Sequence, residues 1–239
     1  MKVDIEEKVR QTLESPFEIE DVETVPDASD PRLCFENKGL RFEATVVYLE
    51  IRETALILRR NNNVMLEKIR MSYFYVVIDI VKDLGGTVRR AHDDGVYIFF
   101  QGVTQDSLNR AVKAAMKIKY MLTNEFSRVK KMLEIYDALD FAIGVDDGKV
   151  LCTKVGNEET KHGELIWSGD ALNIATGIAK RLLVPEHIGV SELVHFNLKD
   201  SIKFSKSKKG KQEIWRSNSF EYNNETQKYF HTSFFWTVS

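Results

Sequence analysis

The stretch that decides the fold is TVVYLEIRETALIL, at residues 45–58. Its first half, residues 45–51, is rich in β-branched and aromatic residues, which is typical of a central β-strand. Further along, within residues 63–84, apolar side chains recur at spacings of three and four, and Gly85 follows as a natural helix cap. The sequence therefore predicts a buried strand followed by a long amphipathic helix.

The alternation of strand-like and helix-like segments continues beyond this helix. Short apolar runs at residues 87–91 and 95–100 flank an acidic turn that ends in Asp94-Gly95, a dipeptide typical of tight β-hairpins. Helical spacing of apolar residues then returns at residues 108–122. These segments predict a β-hairpin and a second long helix beside the first.

The last part of the pattern repeats the hairpin signal. Apolar residues at 140–145 and 149–155 surround the sequence Asp146-Asp147-Gly148, so we predict a second hairpin there. A helix is predicted over residues 170–183, because Pro185 prevents it from continuing. The complete order β, α, β, β, α, β predicts the ferredoxin-like α+β fold.

Two flanking segments lie outside this pattern. Residues 1–39 begin with charged, helix-like sequence and continue with three prolines among acidic residues, which predicts an N-terminal helix and an extended arm. The compact domain is predicted over residues 40–200. Residues 201–239 are predicted to pack on that domain as a hairpin, with strands at 201–204 and 213–216, followed by an aromatic tail.

Composition excludes several classes of protein. With 43% hydrophobic and 29% charged positions, the 239 residues are enough to bury a substantial core. The formal net charge of -2 argues against a nucleic-acid partner held by bulk electrostatics. The distant Cys34 and Cys152 suggest neither a disulfide framework nor a zinc site. No apolar run is long enough to cross a bilayer and none resembles the centre of a signal peptide, so we expect a soluble, cytoplasmic protein without direct membrane contact.

Two carboxylates are predicted to converge at one edge of the sheet. Glu50 ends the first strand, and Asp94 lies in the turn between the next two strands, which this topology places beside the first. Such a pair can bind Mg²⁺ or Mn²⁺ through oxygen, and the helix start at residues 52–54 offers amides to phosphate. The same residues are also compatible with an ordinary hairpin turn and a polar strand residue, so from the residues alone both interpretations stay open.

Four segments resemble, in order and nearly in spacing, the motifs of the class III nucleotidyl cyclases. They are TVVYLEIRETALIL at 45–58, DLGGTVRRAHDDGVYIFF at 83–100, LDFAIGVDDGKVLCTKVG at 139–156 and LIWSGDALNIATGIAKRL at 165–182. Four ordered motifs are far more specific than one. Within that family, the compact architecture, the leader ending VETVPDASDPRL and the tail ending FHTSFFWTV resemble the pyrimidine cyclases of the Pycsar anti-phage defence system.

The resemblance implies a lyase that converts UTP or CTP to cyclic UMP or cyclic CMP plus pyrophosphate, and a separate effector protein that responds to this product. It implies a head-to-tail homodimer in which two Mn²⁺ or Mg²⁺ ions per site are held by Glu50, Ile51 and Asp94. Asn173 would orient the ribose from the other subunit. A monomer is therefore expected to be inactive.

The resemblance also implies which residues contact the nucleotide. They are Ile51, Arg52, Glu53, Thr54, Arg89, Arg90, Ile166 and Trp167. Ile166 and Trp167 stand where cyclases that make cyclic AMP or GMP usually carry polar, base-reading residues, so an apolar wall with an arginine donor favours a pyrimidine. The same two residues are also compatible with core positions of a strand.

Three positions depart from the family pattern. The first metal position is Glu50 where aspartate is usual, Asp93 precedes the second where glycine is usual, and Gly177 replaces a basic residue that stabilises the transition-state phosphate. Loss of one such charge typically costs about a hundredfold in rate. Arg181, one turn further, is predicted to reach back, because residues i and i+4 share a helix face; a surface arginine near a helix end is the alternative. A nucleotide-binding module without turnover and a conventional adenylate or guanylate cyclase also stay open.

Overall fold

The computed structural model describes residues 5–60, 62–90, 95–136, 140–157, 162–207 and 210–238. Within these ranges the chain forms helices that pack on a large, mainly antiparallel sheet. The strands are β1 Glu18–Asp21, β2 Lys38–Arg52, β3 Thr87–Arg90, β4 Gly95–Gln101, β5 Asp140–Asn157, β6 His162–Ser168, β7 Ile188–Ser191, β8 Phe204–Ser207, β9 Gly210–Glu213, β10 Arg216–Tyr222 and β11 Glu225–Thr232. The helices are α1 Ile5–Glu14, α2 Thr54–Arg60, α3 Asn63–Asp83, α4 Gln105–Thr123, α5 Arg128–Glu134, α6 Asp170–Ala179, α7 Glu192–Asn197 and α8 Asp200–Lys203.

The main sheet has the strand order β10-β11-β7-β5-β2-β4-β3, with β1 paired to β2 and β6 paired to β5. Strand β2 lies at its centre and pairs antiparallel with both β4 and β5. The element order from β2 to β7 contains the predicted β, α, β, β, α, β series, so the ferredoxin-like α+β fold is confirmed. Strands β8 and β9 form a separate hairpin. None of the described helices is long and apolar enough to span a membrane.

Helices cover the sheet on both faces. On one face, Tyr73 and Val77 of α3 and Val112 of α4 are buried against strand residues that include Val47 and Ile98. These helix positions follow the spacing of three and four that predicts them. The predicted helices at 63–84 and 108–122 are therefore confirmed, with α3 ending one residue earlier and α4 beginning three residues earlier.

The other face is covered by α6. Ala175 and Ile178 of this helix are buried against Val46. A Cβ atom at Gly144 of β5 would lie 1.9 Å from the carbonyl oxygen of Ala175, so only glycine permits this approach of helix and strand. Because α6 lies so close, side chains that it carries on its outer face keep a fixed position relative to the sheet.

The predicted hairpin at Asp146-Asp147-Gly148 is wrong. These residues lie inside β5, which stays paired with β2 from Gly39↔Thr153 to Arg52↔Asp140 without a change of register. Strand β2 is 15 residues long and offers backbone partners on both sides of the Asp-Asp-Gly sequence. An extended continuation therefore satisfies more backbone hydrogen bonds than a turn.

The chain ends differ from prediction in detail. Helix α6 ends at Ala179, four residues earlier than predicted. After it the chain turns, and the backbone N–H of Leu182 donates to the carbonyl oxygen of Ala179. The predicted C-terminal hairpin exists as β8 and β9, but its strands lie up to three residues closer to the turn than expected, and its tip lies outside the described residues. Strands β10 and β11 form a further hairpin that the sequence interpretation did not predict, and they extend the main sheet. The predicted division into residues 1–39, 40–200 and 201–239 stays a prediction.

Candidate active site

Glu50 lies near the end of β2, on the sheet face that α6 covers. Its register partners on the neighbouring strands are Gly95 of β4 and Ala142 of β5, so neither neighbour has a large side chain. The carboxylate oxygen Oε2 of Glu50 is buried and has no hydrogen-bond partner among the described residues. A buried charged oxygen without a partner is costly, so the site calls for a positively charged ligand or a donor.

The second predicted carboxylate, Asp94, lies outside the described residues, as does Asp93. Its neighbour Gly95 lies opposite Glu50, and a Cβ atom at Gly95 would be 2.4 Å from the hydroxyl oxygen of Tyr48. Strand β4 therefore begins directly beside Glu50, at the residue that follows Asp94 in the sequence. Among the described residues, no three His, Cys, Asp or Glu side chains lie together as a metal site.

The residues present fit a divalent cation at the Glu50 end of β2. An unpartnered buried carboxylate oxygen, flanked by glycine and alanine, is the kind of hard oxygen ligand that Mg²⁺ and Mn²⁺ prefer. The side chain of Ile51 is buried, so only its backbone can face a ligand. The pair of metal ions and the ligand set Glu50, Ile51 and Asp94 stay predictions.

Arg52 has a structural arrangement in the folded chain. Its guanidinium donates to the carbonyl oxygen of Leu182 at 2.6 Å and to that of Phe141 at 3.1 Å, and it forms an ion pair with Asp140 at 2.8 Å. These bonds join the end of β2 to the start of β5 and to the turn after α6. Arg52 is thus engaged by protein groups, and its contact with a nucleotide stays a prediction.

The turn after β2 has an unusual backbone. Glu53 adopts a φ of 63°, in the left-handed region that side chains other than glycine rarely enter, and its side chain is exposed. Thr54 begins α2 and is half-buried. Such strain is typical of functional loops. The predicted phosphate contacts of Glu53 and Thr54 stay predictions.

Helix α6 carries Asn173, one of two exposed polar side chains that the sequence predicts to be catalytic; the other, Arg181, lies just after the helix ends at Ala179. The amide nitrogen Nδ2 of Asn173 donates to the hydroxyl oxygen of Tyr222 at 3.0 Å, and that hydroxyl donates to Asp170 at 2.8 Å. Tyr222 belongs to β10, so the hairpin of β10 and β11 reaches Asn173 from outside the ferredoxin-like core. Asn173 is therefore both exposed and held.

Arg181 bonds to the backbone at Gly177, four residues earlier. Its Nη1 donates to the carbonyl oxygen of Gly177 at 2.8 Å, and its guanidinium carbon lies 4.3 Å from the centre of the Phe220 ring. A Cβ atom at Gly177 would itself lie 3.0 Å from that ring. The guanidinium of Arg181 therefore lies beside Gly177, the position where the family pattern has a basic side chain. Arg181 remains exposed.

The residues predicted to recognise the base are separated by the structure. Neighbouring residues of a strand face opposite ways, and on β6 Ile166 is exposed while Trp167 packs on Phe42 and Phe99 at ring distances of 5.9 and 5.0 Å. A single wall made of Ile166 and Trp167 is therefore not formed within the described chain. The base contact of either residue alone stays a prediction.

The two predicted arginines lie on β3. Arg89 is half-buried, and its Nε and Nη2 both donate to the carbonyl oxygen of Pro26 at 3.1 Å, which ties the N-terminal arm to the sheet. The side chain of Arg90 lies outside the described residues. Their roles as donors to a base stay predictions.

Another carboxyl group on the α6 face is not part of this arrangement. Asp146 is 5% exposed, and burial raises its pKa to about 7, although a hydrogen bond from Ser191 acts in the opposite direction. Together with Asp147 and Asp170 it lines a cleft of about 780 Å³ beside the start of α6. Glu50, Asn173 and Arg181 do not line this cleft. Asp170, which does line the cleft, is joined to Asn173 through the hydroxyl of Tyr222.

The sequence interpretation missed Tyr222 and Phe220. The available signal was Asn223-Asn224, which has positive φ at both residues and joins two strand-like runs as a tight hairpin turn. That signal predicts the hairpin but not its contacts with α6, because the partners lie about 40 to 50 positions apart in sequence. Only the folded chain brings them together.

Comparisons with known proteins agree with this arrangement. The chain is 27% identical over 215 residues to a uridylate cyclase of Xanthomonas perforans. The match covers 88% of this chain and 87% of the relative. It is 22% identical over 203 residues to a uridylate cyclase of Burkholderia cepacia, with coverage of 84% and 86%. No family model matches the chain.

Solved structures give the same fold. The guanylyl cyclase Cya2 superimposes with a TM-score of 0.65 at 16% identity, over 82% of this chain and 94% of that one. The adenylyl cyclase CyaB from P. aeruginosa gives 0.64 at 14% identity, over 81% and 95%. The guanylate cyclase domain of RhGC from Catenaria anguillulae, in complex with GTP, gives 0.61 at 16% identity, over 80% and 97%. The predicted resemblance to class III nucleotidyl cyclases, and to pyrimidine cyclases within them, is confirmed.

Proposed function

We propose that this chain, which has the class III nucleotidyl cyclase fold, converts UTP or CTP to the cyclic monophosphate and pyrophosphate. In this reaction the ribose 3'-hydroxyl loses its proton to solvent and its oxygen attacks the α-phosphorus, while the bond from the α-phosphorus to the bridging oxygen breaks and pyrophosphate leaves. The observation that carries the proposal is the exposed pair of Asn173, on α6, and Arg181, just after α6, whose guanidinium donates to the carbonyl oxygen of Gly177. Arg181 would then supply a positive charge beside Gly177, where the family pattern has a basic residue.

The proposed roles of the residues at the end of β2 and of those at α6 are complementary. Glu50, the backbone of Ile51, and Asp94 would hold divalent cations, which supply charge neutralisation to the triphosphate and lower the pKa of the attacking hydroxyl. Asn173 would accept a hydrogen bond from the ribose and so fix the direction of attack. Arg181 would stabilise charge that develops on the α-phosphate.

We further propose that each site is shared by two copies of the chain. Within one copy, the outer face of α6 points away from the sheet, whereas Glu50 lies on the face that α6 covers. Residues that face in these directions meet most simply when α6 of one copy approaches β2 of another. A head-to-tail homodimer then has two equal sites.

We propose that UTP is preferred to CTP as the substrate, so that the base is uracil. Both relatives are named uridylate cyclase, and each of them matches more than four fifths of the chain. In this proposal the product is a signal in anti-phage defence, made in the cytoplasm and read by a separate effector protein. Neither nucleic acid nor membrane is needed for the reaction.

The test is an assay of the purified dimer with UTP, CTP, ATP and GTP in the presence of Mn²⁺, with products resolved by mass. We expect cyclic UMP, and no product from an Asp94→Ala variant that keeps its dimeric state. Cyclic CMP as the main product would revise the base alone. Cyclic AMP or GMP would support a conventional purine cyclase. Nucleotide binding without any product would support a binding module, for which Gly177 is the specific observation.

A further inference from the structure

Strand β10 places two aromatic residues against α6 and the turn that follows it. Phe220 and Tyr222 are two positions apart and therefore project from the same side of the strand. Phe220 contacts Arg181, and Tyr222 contacts Asn173. The hairpin of β10 and β11 is fixed to the sheet through pairing of β11 with β7, so both contacts rest on a rigid support.

The hydrogen bonds of Tyr222 determine how Asn173 is oriented. A tyrosine hydroxyl has one hydrogen, and it is directed to the carboxylate of Asp170, which only accepts. The hydroxyl oxygen is then an acceptor, so the Asn173 group that faces it is the amide nitrogen. Because Asn173 is exposed, the carbonyl oxygen of its side chain is left as an acceptor for a donor such as a ribose hydroxyl.

Asp170 completes the chain of hydrogen bonds. It is the first residue of α6, three positions before Asn173, so the two side chains lie on the same side of the helix. Tyr222 bridges them at 2.8 and 3.0 Å. If the hydroxyl is removed, Asp170 and Asn173 lose their common partner, and the amide is free to rotate about its side-chain bonds.

We propose that Tyr222 is a positioning residue that holds the side-chain amide of Asn173 with its carbonyl oxygen towards the nucleotide. This inference deepens the proposed function and rests on it. It adds a role for the hairpin of β10 and β11, whose Tyr222 acts through Asn173 without touching the substrate. Phe220 makes the parallel contact with Arg181.

The experiment is a double-mutant cycle on the full-length dimer. Tyr222→Phe is combined with Asn173→Ala, and kcat and KM are measured with UTP and Mn²⁺. We expect Tyr222→Phe to lower kcat about tenfold with little change in KM, because misorientation of a reacting group reduces the rate of the chemical step. In the Asn173→Ala background the same change should alter kcat by less than about twofold, because the residue through which it acts is absent.

A matched control is Thr226→Val in the same hairpin. The hydroxyl of Thr226 donates to Glu221 at 2.7 Å and so joins β10 to β11 rather than to α6. We expect this variant to keep the wild-type kcat. An equal fall in kcat on Tyr222→Phe with and without Asn173 would overturn the positioning role, as would an equal fall on Thr226→Val.

A second readout separates this inference from the proposed function. In protein labelled with ¹⁵N-asparagine, the side-chain amide signal of Asn173 is assigned by its loss in Asn173→Ala. We expect Tyr222→Phe to shift this signal and Thr226→Val to leave it unchanged. If no nucleotide is turned over by the wild type, the proposed function fails, and the shift still supports the positioning of Asn173. An unchanged signal in Tyr222→Phe overturns it.

Discussion

Glu50 and Asp146 are carboxyl groups on the same face of the same sheet, yet the chain treats them differently. Asp146 pairs with Val46, four residues before Glu50, so the two lie roughly 13 Å apart along the strands. Asp146 is satisfied by Ser191 and its pKa is raised to about 7, so near neutral pH a large fraction is uncharged. Glu50 keeps a buried oxygen without a partner among the described residues.

The difference shows how a buried acid can be structural in one place and functional in another. The protein itself completes the bonding of Asp146, and protonation removes the cost of its charge. The register partners of Glu50 in the sheet are Gly95 and Ala142, and neither has a side-chain donor. A site that leaves a carboxylate incomplete in this way is one that a cation completes.

The largest effect is expected at Glu50. Glu50→Gln keeps the size of the side chain but removes the charge, and we expect cyclisation to fall by about a thousandfold, because several kcal/mol of transition-state stabilisation by metal would be lost. Mn²⁺ should raise the melting temperature of the wild type and no longer raise that of the variant. The control is Glu43→Gln, at an exposed position of the same strand. Wild-type turnover in Glu50→Gln would remove Glu50 from the metal site.

A smaller effect, on stability rather than rate, is expected at Asp146. Burial raises its pKa from 3.8 to about 7, so native stability falls as pH rises from about 4 to 7 and is level above that. Asn at this position mimics the neutral acid and has a donor and an acceptor for Ser191. We therefore expect Asp146→Asn to be more stable than the wild type by about 4 kcal/mol at pH 8 and equal to it below pH 4.

The measurement for Asp146→Asn is denaturant unfolding at several pH values, with cyclisation followed in parallel. The control is Asp79→Asn, at an exposed position of α3. Equal stability of Asp146→Asn and wild type at pH 8 would show that this carboxyl is solvated. A loss of turnover as large as that of Glu50→Gln would break the distinction between the two acids.

Local patterns predicted the parts of the fold that depend on local physics. The helix spacing at residues 63–84 and the strand run at 45–51 sufficed to identify α3 and β2, and thereby the end of β2 where Glu50 lies. The Asp146-Asp147-Gly148 turn signal failed because the pairing partner of β5 is distant in sequence, and nothing in a local window reports it. A local signal can suggest a turn, but it does not show which distant strands pair with each other.

The site was predictable only in part, for a related reason. Asn173 and Arg181 follow from motif and helix spacing, and Arg181 reaches back to Gly177 as the i to i+4 geometry predicts. Tyr222 contacts Asn173 from 49 positions away, and Arg52 bonds the carbonyl of Leu182 from 130 positions away. Such long-range contacts depend on the whole topology, so no spacing in the sequence announces them.

The shared active site is the central claim, and mixing two inactive variants tests it most directly. Glu50→Gln and Arg181→Ala copies, the second expected to lose about a hundredfold in rate, carry different affinity tags so that the mixed dimer is isolated. The mixed dimer has one site that combines an intact Glu50 from one copy with an intact Arg181 from the other. We predict about half the wild-type rate for it, since one of two sites is complete. A mixed dimer that is no more active than either variant alone would contradict a site built from two copies.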